Sequence, residues 1–273
     1  MKTFLLRAIS GVLLVVITVG AIMFSQWSML ALALLVSVGS MTEFYKLTAF
    51  KEIVPSKLYA IFAGIGVVVL SFLVAAGIIA ADYLLLLLPL FAVLFVSELY
   101  RNKKYPLENI AVSLMGVIYI AVPMALFACL GFIGTGEYGI YSYFYPLGYI
   151  VLIWVNDVGA YLVGMTIGKH RLFERVSPKK SWEGFWGGVL LTVAAGWVIG
   201  NLTQSNIHEW LLIGLVVSLS AVAGDLVESL FKRAANLKDS GSIIPGHGGF
   251  LDRFDALFIS LPFVYLLLTL LNK

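Results

Sequence analysis

This 273-residue chain is poor in charge. Asp, Glu, Lys and Arg make up 12% of it, against 61% for hydrophobic residues. A soluble globular domain carries about a quarter charged residues and about half apolar ones, so a water-soluble fold is excluded. Cysteine is scarcer still: Cys129 stands alone in an apolar stretch, which excludes an internal disulfide. Familiar catalytic motifs are missing as well. There is no nucleophile elbow of a Ser–His–Asp hydrolase, no HExxH and no CxxC. Gly164-Met165-Thr166-Ile167-Gly168-Lys169-His170 imitates a P-loop, but it is one residue short and ends on His170 where Ser or Thr is required. Low-complexity linkers and repeats of 20–50 residues are absent. So is any soluble basic domain, which removes nucleic acid as a partner.

What fills the chain is apolar runs of membrane-crossing length. The mean hydropathy is +0.99, and a span needs about 20 apolar residues. Reading runs between charge and turn clusters predicts helices near 5–24, 28–48, 57–79, 82–98, 109–134, 142–168, 184–202, 210–231 and 256–271. The expected fold class is therefore an all-α polytopic integral membrane protein with about nine transmembrane helices. The first run, preceded by Lys2 and Arg7, reads as a span and not as a cleaved leader. With the N-terminus placed inside, the tail and the segments 46–57, 98–108, 169–183 and 232–255 hold 17 of the 18 Lys and Arg residues, all but Lys273. That asymmetry predicts a cytoplasmic N-terminus and a C-terminus outside. The net charge of +3 then forms a cytoplasmic face that attracts anionic headgroups and solutes. The chain divides into 1–140, a membrane-embedded scaffold, and 141–273, a membrane-embedded region whose cytoplasmic loops 169–183 and 232–255 carry the polar residues.

Those polar residues are concentrated. Between Ser229 and Asp255 lie Lys232, Arg233, Lys238, Arg253, Asp239, Asp252, Asp255, His247 and a Gly-His-Gly-Gly turn. Upstream, Asp225 and Glu228 are three apart and share a helix face. Carboxylates in a span are costly and usually line a polar cavity, although Glu228 is also placed for an ordinary i,i+4 bridge to Lys232. Asp252 and Asp255 repeat the spacing at the start of the last helix, where acids also complement the helix dipole. Four carboxylates from two helix ends suit divalent cations, which take hard oxygen ligands. Two cations about 3.5–4 Å apart would clamp a phosphoryl centre. The glycines at 246, 248 and 249 permit close backbone approach to an anion, while His247 either contacts a phosphate or orders the loop. Asp157, after Asn156, is an intramembrane acid and thus a functional candidate, with a helix–helix hydrogen bond as the competing reading. Glu43 lies near a helix end beside Lys46, where snorkelling accounts for it. In Ser177-Pro178-Lys179-Lys180-Ser181-Trp182-Glu183-Gly184, Ser177 reads as a helix cap and Pro178 as the first helical residue. Its lysines and hydroxyls fit a triphosphate or a lipid headgroup equally well. The spacings Gly164–Gly168 and Gly184–Gly188 point to close helix packing.

Three strings resemble the phosphatidate cytidylyltransferase (CDP-diacylglycerol synthase) family. The first is Ser229-x-Phe231-Lys232-Arg233, Lys238-Asp239-x-Gly241 and Ile244-Pro245-x-His247-Gly248-Gly249-Phe250-x-Asp252-Arg253-Phe254-Asp255. The others are Asn156-Asp157-x-Gly159-Ala160-Tyr161 with Gly164 and Gly168-Lys169-His170, and Ser177 to Gly184, where Ser181 replaces a more usual threonine. The resemblance covers about residues 150–260; the first 140 match in hydropathy alone. It implies conversion of CTP and phosphatidic acid to CDP-diacylglycerol and pyrophosphate in the inner cell membrane, with the site facing the cytoplasm. It also implies Mg²⁺, with a second cation, divalent or monovalent, left open, and a homodimer. On that resemblance Asp225, Glu228, Asp252 and Asp255 are expected to hold the cations, with Asp157 a further candidate. Asp225, Asp252, Lys232 and Arg233 form the expected catalytic set. Lys232, Arg233, Lys238, Arg253 and the loop of His247, Gly248 and Gly249 are expected on the triphosphate, with Asp239 a further substrate-binding residue. Ser177, Lys179, Lys180 and Ser181 would face a phosphate from the opposite wall. Two other readings stay open, a CTP-dependent polyprenol kinase and a cation transporter. A CDP-alcohol phosphotransferase is disfavoured because its DG-x-x-AR type motif is missing.

Overall fold

The computed structural model describes residues 2–48, 52–134, 139–237, 241 and 248–272, and they are predominantly helical. The helices are α1 (Lys2–Phe24), α2 (Gln26–Thr48), α3 (Lys57–Ala75), α4 (Leu87–Arg101), α5 (Pro106–Gly116), α6 (Val122–Cys129), α7 (Phe144–Ile167), α8 (Trp182–Leu202), α9 (Ile207–Ala234) and α10 (Leu251–Leu271). A 3₁₀ turn, Ala81–Leu86, leads into α4, and a π-helical turn, Val117–Ala121, joins α5 to α6 in one rod. Among the described residues, eight helical stretches are long and apolar enough to cross a membrane, and Ala8–Phe24 adds a shorter one. In hydrocarbon each backbone polar group must be paired within its own segment, which is why such runs become helices. The fold is an all-α polytopic membrane protein, as the hydropathy pattern predicts.

Strand structure among the described residues is confined to a ribbon between α7 and α8, in which β1 (Arg171–Phe173) pairs antiparallel with β2 (Ser177–Ser181). This corrects the expected helix start at Ser177 and Pro178. Proline holds the residue before it in extended backbone and is tolerated at a ribbon edge, so Ser177 and Pro178 fit β2 better than a helix. The cap is Ser181, whose extended backbone (φ −123°, ψ 155°) ends β2 and whose hydroxyl accepts a 3.2 Å bond from the Gly184 N–H.

The chain forms two compact units. The first comprises Met1–Tyr143 and Ala234–Phe254, the second Phe144–Arg233 and Asp255–Lys273. In the first, α3 packs on α2, α4 and α6 around Met41, Phe44, Tyr45, Phe72, Ile120 and Phe127, all fully buried. A buried polar knot sits at the end of this core. The Glu98 carboxylate accepts bonds from Asn109 (2.7 Å), Arg101 (2.6 Å) and Ser56 (3.1 Å), and the Tyr45 hydroxyl donates to the Ser113 carbonyl (2.7 Å).

In the second unit α7 and α8 pack along a glycine seam. A Cβ on Gly184 would approach the Ala160 carbonyl oxygen to 2.7 Å and Gly164 Cα to 3.1 Å. The small-residue spacing therefore serves close packing, as expected. At one end of α9, Trp210 stacks on Tyr145, and Glu209 accepts from the Tyr145 hydroxyl at 2.6 Å. The other end of α9 carries the acids.

Candidate active site

Gly224 sets the geometry of that end. A Cβ there would come within 2.6 Å of the Asp255 carbonyl oxygen, so glycine lets the α9 and α10 backbones close on each other. The next residue, Asp225, then meets Asp255. With Glu228, one helical turn further along α9, these two each place a carboxylate oxygen within 4.8 Å of the others. The three differ in access: the Glu228 side chain is 0% exposed, whereas that of Asp225 is 40% exposed. Asp157 on α7 is close enough to act electrostatically on Asp255.

Three like charges this close repel strongly in a medium of low dielectric. Two lysines answer part of that charge. Lys180 of β2 forms an ion pair with Asp225, and Lys232 forms one with Glu228 four residues before it. The Ser229 hydroxyl adds a 3.3 Å bond to Asp225. The i,i+4 bridge and the convergence of acids, read from sequence as competing accounts of Glu228, thus occur together. A donor set of three carboxylates, one of them open to solvent, matches the preference of Mg²⁺ for a few carboxylates with places left for water and phosphate.

The remaining expected site residues fall into three groups. Ser177, Lys179, Lys180 and Ser181 all lie on β2, with Lys179 exposed, Lys180 turned to Asp225 and Ser181 capping α8. Arg233, at the end of α9, donates from Nε to the Val176 carbonyl at 3.4 Å and so ties the ribbon to that helix. Asp252, in the first turn of α10, accepts a 3.1 Å bond from the Gly249 N–H, and Gly248 beside it holds φ +85°, a conformation that favours glycine. Arg253 is exposed. Lys238, Asp239 and His247 lie outside the described residues.

Glu183 and Glu43 have structural partners that their sequence neighbourhood does not show. Glu183, in the first turn of α8, accepts from the Lys169 N–H at 3.1 Å and meets His170 Nδ1 at 2.6 Å. The last two backbone N–H groups of the P-loop imitation, those of Lys169 and His170, therefore face a carboxylate. Glu43 requires a correction. It does not snorkel: it is 1% exposed, and its Oε2 accepts a 2.9 Å bond from the Leu251 N–H at the start of α10. The rule that an acid within an apolar span is functional by default, applied to Asp157, would have flagged it too.

Fold and site together define a polytopic membrane protein with an acidic, lysine-flanked centre where two helices converge. A family model described as the cytidylyltransferase family matches residues 5–271, and the chain belongs to that family. A Staphylococcus aureus (strain COL) protein named phosphatidate cytidylyltransferase is 38% identical over 180 residues, covering 65% of this chain and 66% of that one. One of the same name from Bacillus subtilis (strain 168) is 38% identical over 188 residues, 67% and 68% of the two chains. A Staphylococcus epidermidis protein of that name also matches at 38% over 180 residues. This chain spans 66% of the length of its staphylococcal relatives.

Proposed function

We propose that this protein is a phosphatidate cytidylyltransferase, joining CTP and phosphatidic acid into CDP-diacylglycerol and pyrophosphate at the cytoplasmic face of the cell membrane. The observation that carries this reading is the meeting of Asp225, Glu228 and Asp255 with Lys180 and Lys232. The family match and the relatives' names support it, and they lend no support to a lipid kinase or a transporter.

The chemistry suits the residues. A phosphate monoester with a second pKa near 6 is mostly dianionic at neutral pH, so phosphatidate needs no general base. Its oxygen attacks the α-phosphorus of CTP in line. The new P–O bond forms as the bond to the β-phosphate oxygen breaks, and pyrophosphate leaves with that electron pair. The protein's tasks are to align three phosphate groups and to neutralise their charge. Asp225, Glu228 and Asp255 would hold Mg²⁺, with Asp157 and Asp252 as further candidate ligands. When bound, Mg²⁺ supplies charge withdrawal at the phosphate oxygens. Lys180 and Lys232, already drawn to these acids, put cationic groups beside the phosphates, with Lys179, Arg233, Lys238, Arg253 and His247 as further anion ligands.

The test is direct. The purified protein, given α-³²P-labelled CTP and phosphatidic acid, is expected to produce a labelled lipid with Mg²⁺ and none without it. Label reaching a lipid alcohol from γ-labelled CTP would replace this reading with the kinase.

A further inference from the structure

Glu43 stands far from the acidic trio in sequence and in role, and its surroundings are unusual. Its carboxylate backs onto two glycines. A Cβ on Gly241 would overlap Oε1, and a Cβ on Gly249 would overlap Oε2. The same Oε2 receives the Leu251 N–H at 2.9 Å, and Oε1 has no hydrogen-bond partner among the described residues. One helical turn earlier on α2, Gly39 makes room for the Phe250 ring, which a Cβ would approach to 2.8 Å. One buried carboxylate on α2 thus meets both flanks of the segment from Gly241 to Leu251.

We infer that Glu43 is a positioning residue: a clasp that pins both ends of the Gly241–Leu251 segment to α2 and so orients the first turn of α10. The physics favours a carboxylate in this place. The first backbone N–H groups of α10 have no partner within the helix, and a negative group at a helix N-terminus is stabilised by the helix dipole. Burying the charge is justified only if such donors receive it. Glycine at 249 brings the backbone close enough for the Leu251 N–H to do so. Gly248 and Gly249 lie just before Leu251, and Asp252 just after it accepts a bond from the Gly249 N–H. Loosening the clasp would free Gly248 and Gly249, assigned above to the triphosphate, without touching Asp225, Glu228 or Lys180.

The inference rests on the cytidylyl-transfer reading for its kinetic signature. Glu43→Gln keeps the shape but removes the negative charge that faces the N-terminus of α10. It is expected to raise KM for CTP about tenfold while KM for phosphatidic acid stays within about twofold, a change of about 1.4 kcal/mol. A purely structural loss would lower the amount of active protein and leave both KM values alone; that result, or no change, overturns the clasp. Gly249→Ala supplies a second route. Its Cβ should impair the enzyme in the native background and cost far less when Glu43→Ala has vacated the space, whereas additive effects of the two changes count against contact. An activity-independent measurement separates the two hypotheses. Deuterium uptake across Gly248–Phe254 should rise in Glu43→Ala while that of α9 is unchanged. If the unmodified protein makes no labelled lipid, the activity reading fails; if uptake across this segment does not change, the clasp fails.

Discussion

Glu98 and the acidic trio, one in each unit, are acidic centres of opposite design. In the first unit, Glu98 is surrounded by donors: Asn109 takes one oxygen, Arg101 and Ser56 the other, and no second acid joins them among the described residues. Its charge is balanced and its hydrogen bonds are made, which is the condition under which a buried polar network rigidifies a core. In the second unit, Asp225, Glu228 and Asp255 face one another, with two lysines for three carboxylates. A network built for stability would not place three acids within 4.8 Å. The difference teaches how to tell a structural carboxylate from a working one in a membrane protein: what matters is whether the neighbours complete it.

If that contrast is sound, mutations at the two centres should have opposite signatures. The largest effect is expected at the acidic trio. Asp255→Asn should lower cytidylyl transfer at least about a thousandfold, roughly 4 kcal/mol. The melting temperature in detergent should hold or rise, because one of three repelling charges has gone. Label transfer and a melting curve on the same preparation check both halves. Glu98→Ala should do the reverse, costing about 3 kcal/mol of stability by leaving Arg101 and Asn109 without their acceptor. A melting temperature lower by roughly 10 °C would follow, with turnover per folded molecule unchanged. An inactive but stable Glu98 variant would break the comparison. The smallest effect belongs to Ser181→Ala, which removes the α8 cap at a cost of about 1 kcal/mol. Because Ser181 shares β2 with Lys180, KM for CTP in that variant sharpens the picture: an unchanged value assigns the hydroxyl to the cap alone.

Much of this was legible in the sequence, and the exceptions have physical causes. The spans were readable because lipid leaves a helix as the only way to pair the backbone in an open chain. The Asp225, Glu228 and Asp255 group was readable because i,i+3 spacing fixes a shared face, although which acids would converge was not. That depends on Gly224 admitting the α10 backbone, a contact between distant residues. The start of α8 was misread because proline suits both a first helical turn and a ribbon edge, and the ribbon comes from pairing with β1, which local spacing does not report. Glu43 was misread for the same reason. Lys46 is three residues away, while the donor that matters, Leu251, is 208 residues away.

That distance also has a meaning in time. The first unit draws its last piece, Ala234–Phe254, from beyond most of the second, so it cannot be completed while the chain is still short. At about 5–20 residues per second of synthesis, Glu43 waits on the order of 10–40 s after leaving the ribosome before Leu251 exists to meet it. During that interval α2 carries an acid with no partner from the segment that will later close over it. The nascent protein must therefore keep Glu43 either protonated or in contact with water until the chain returns, which makes α2 the helix whose final seating is decided late in biogenesis.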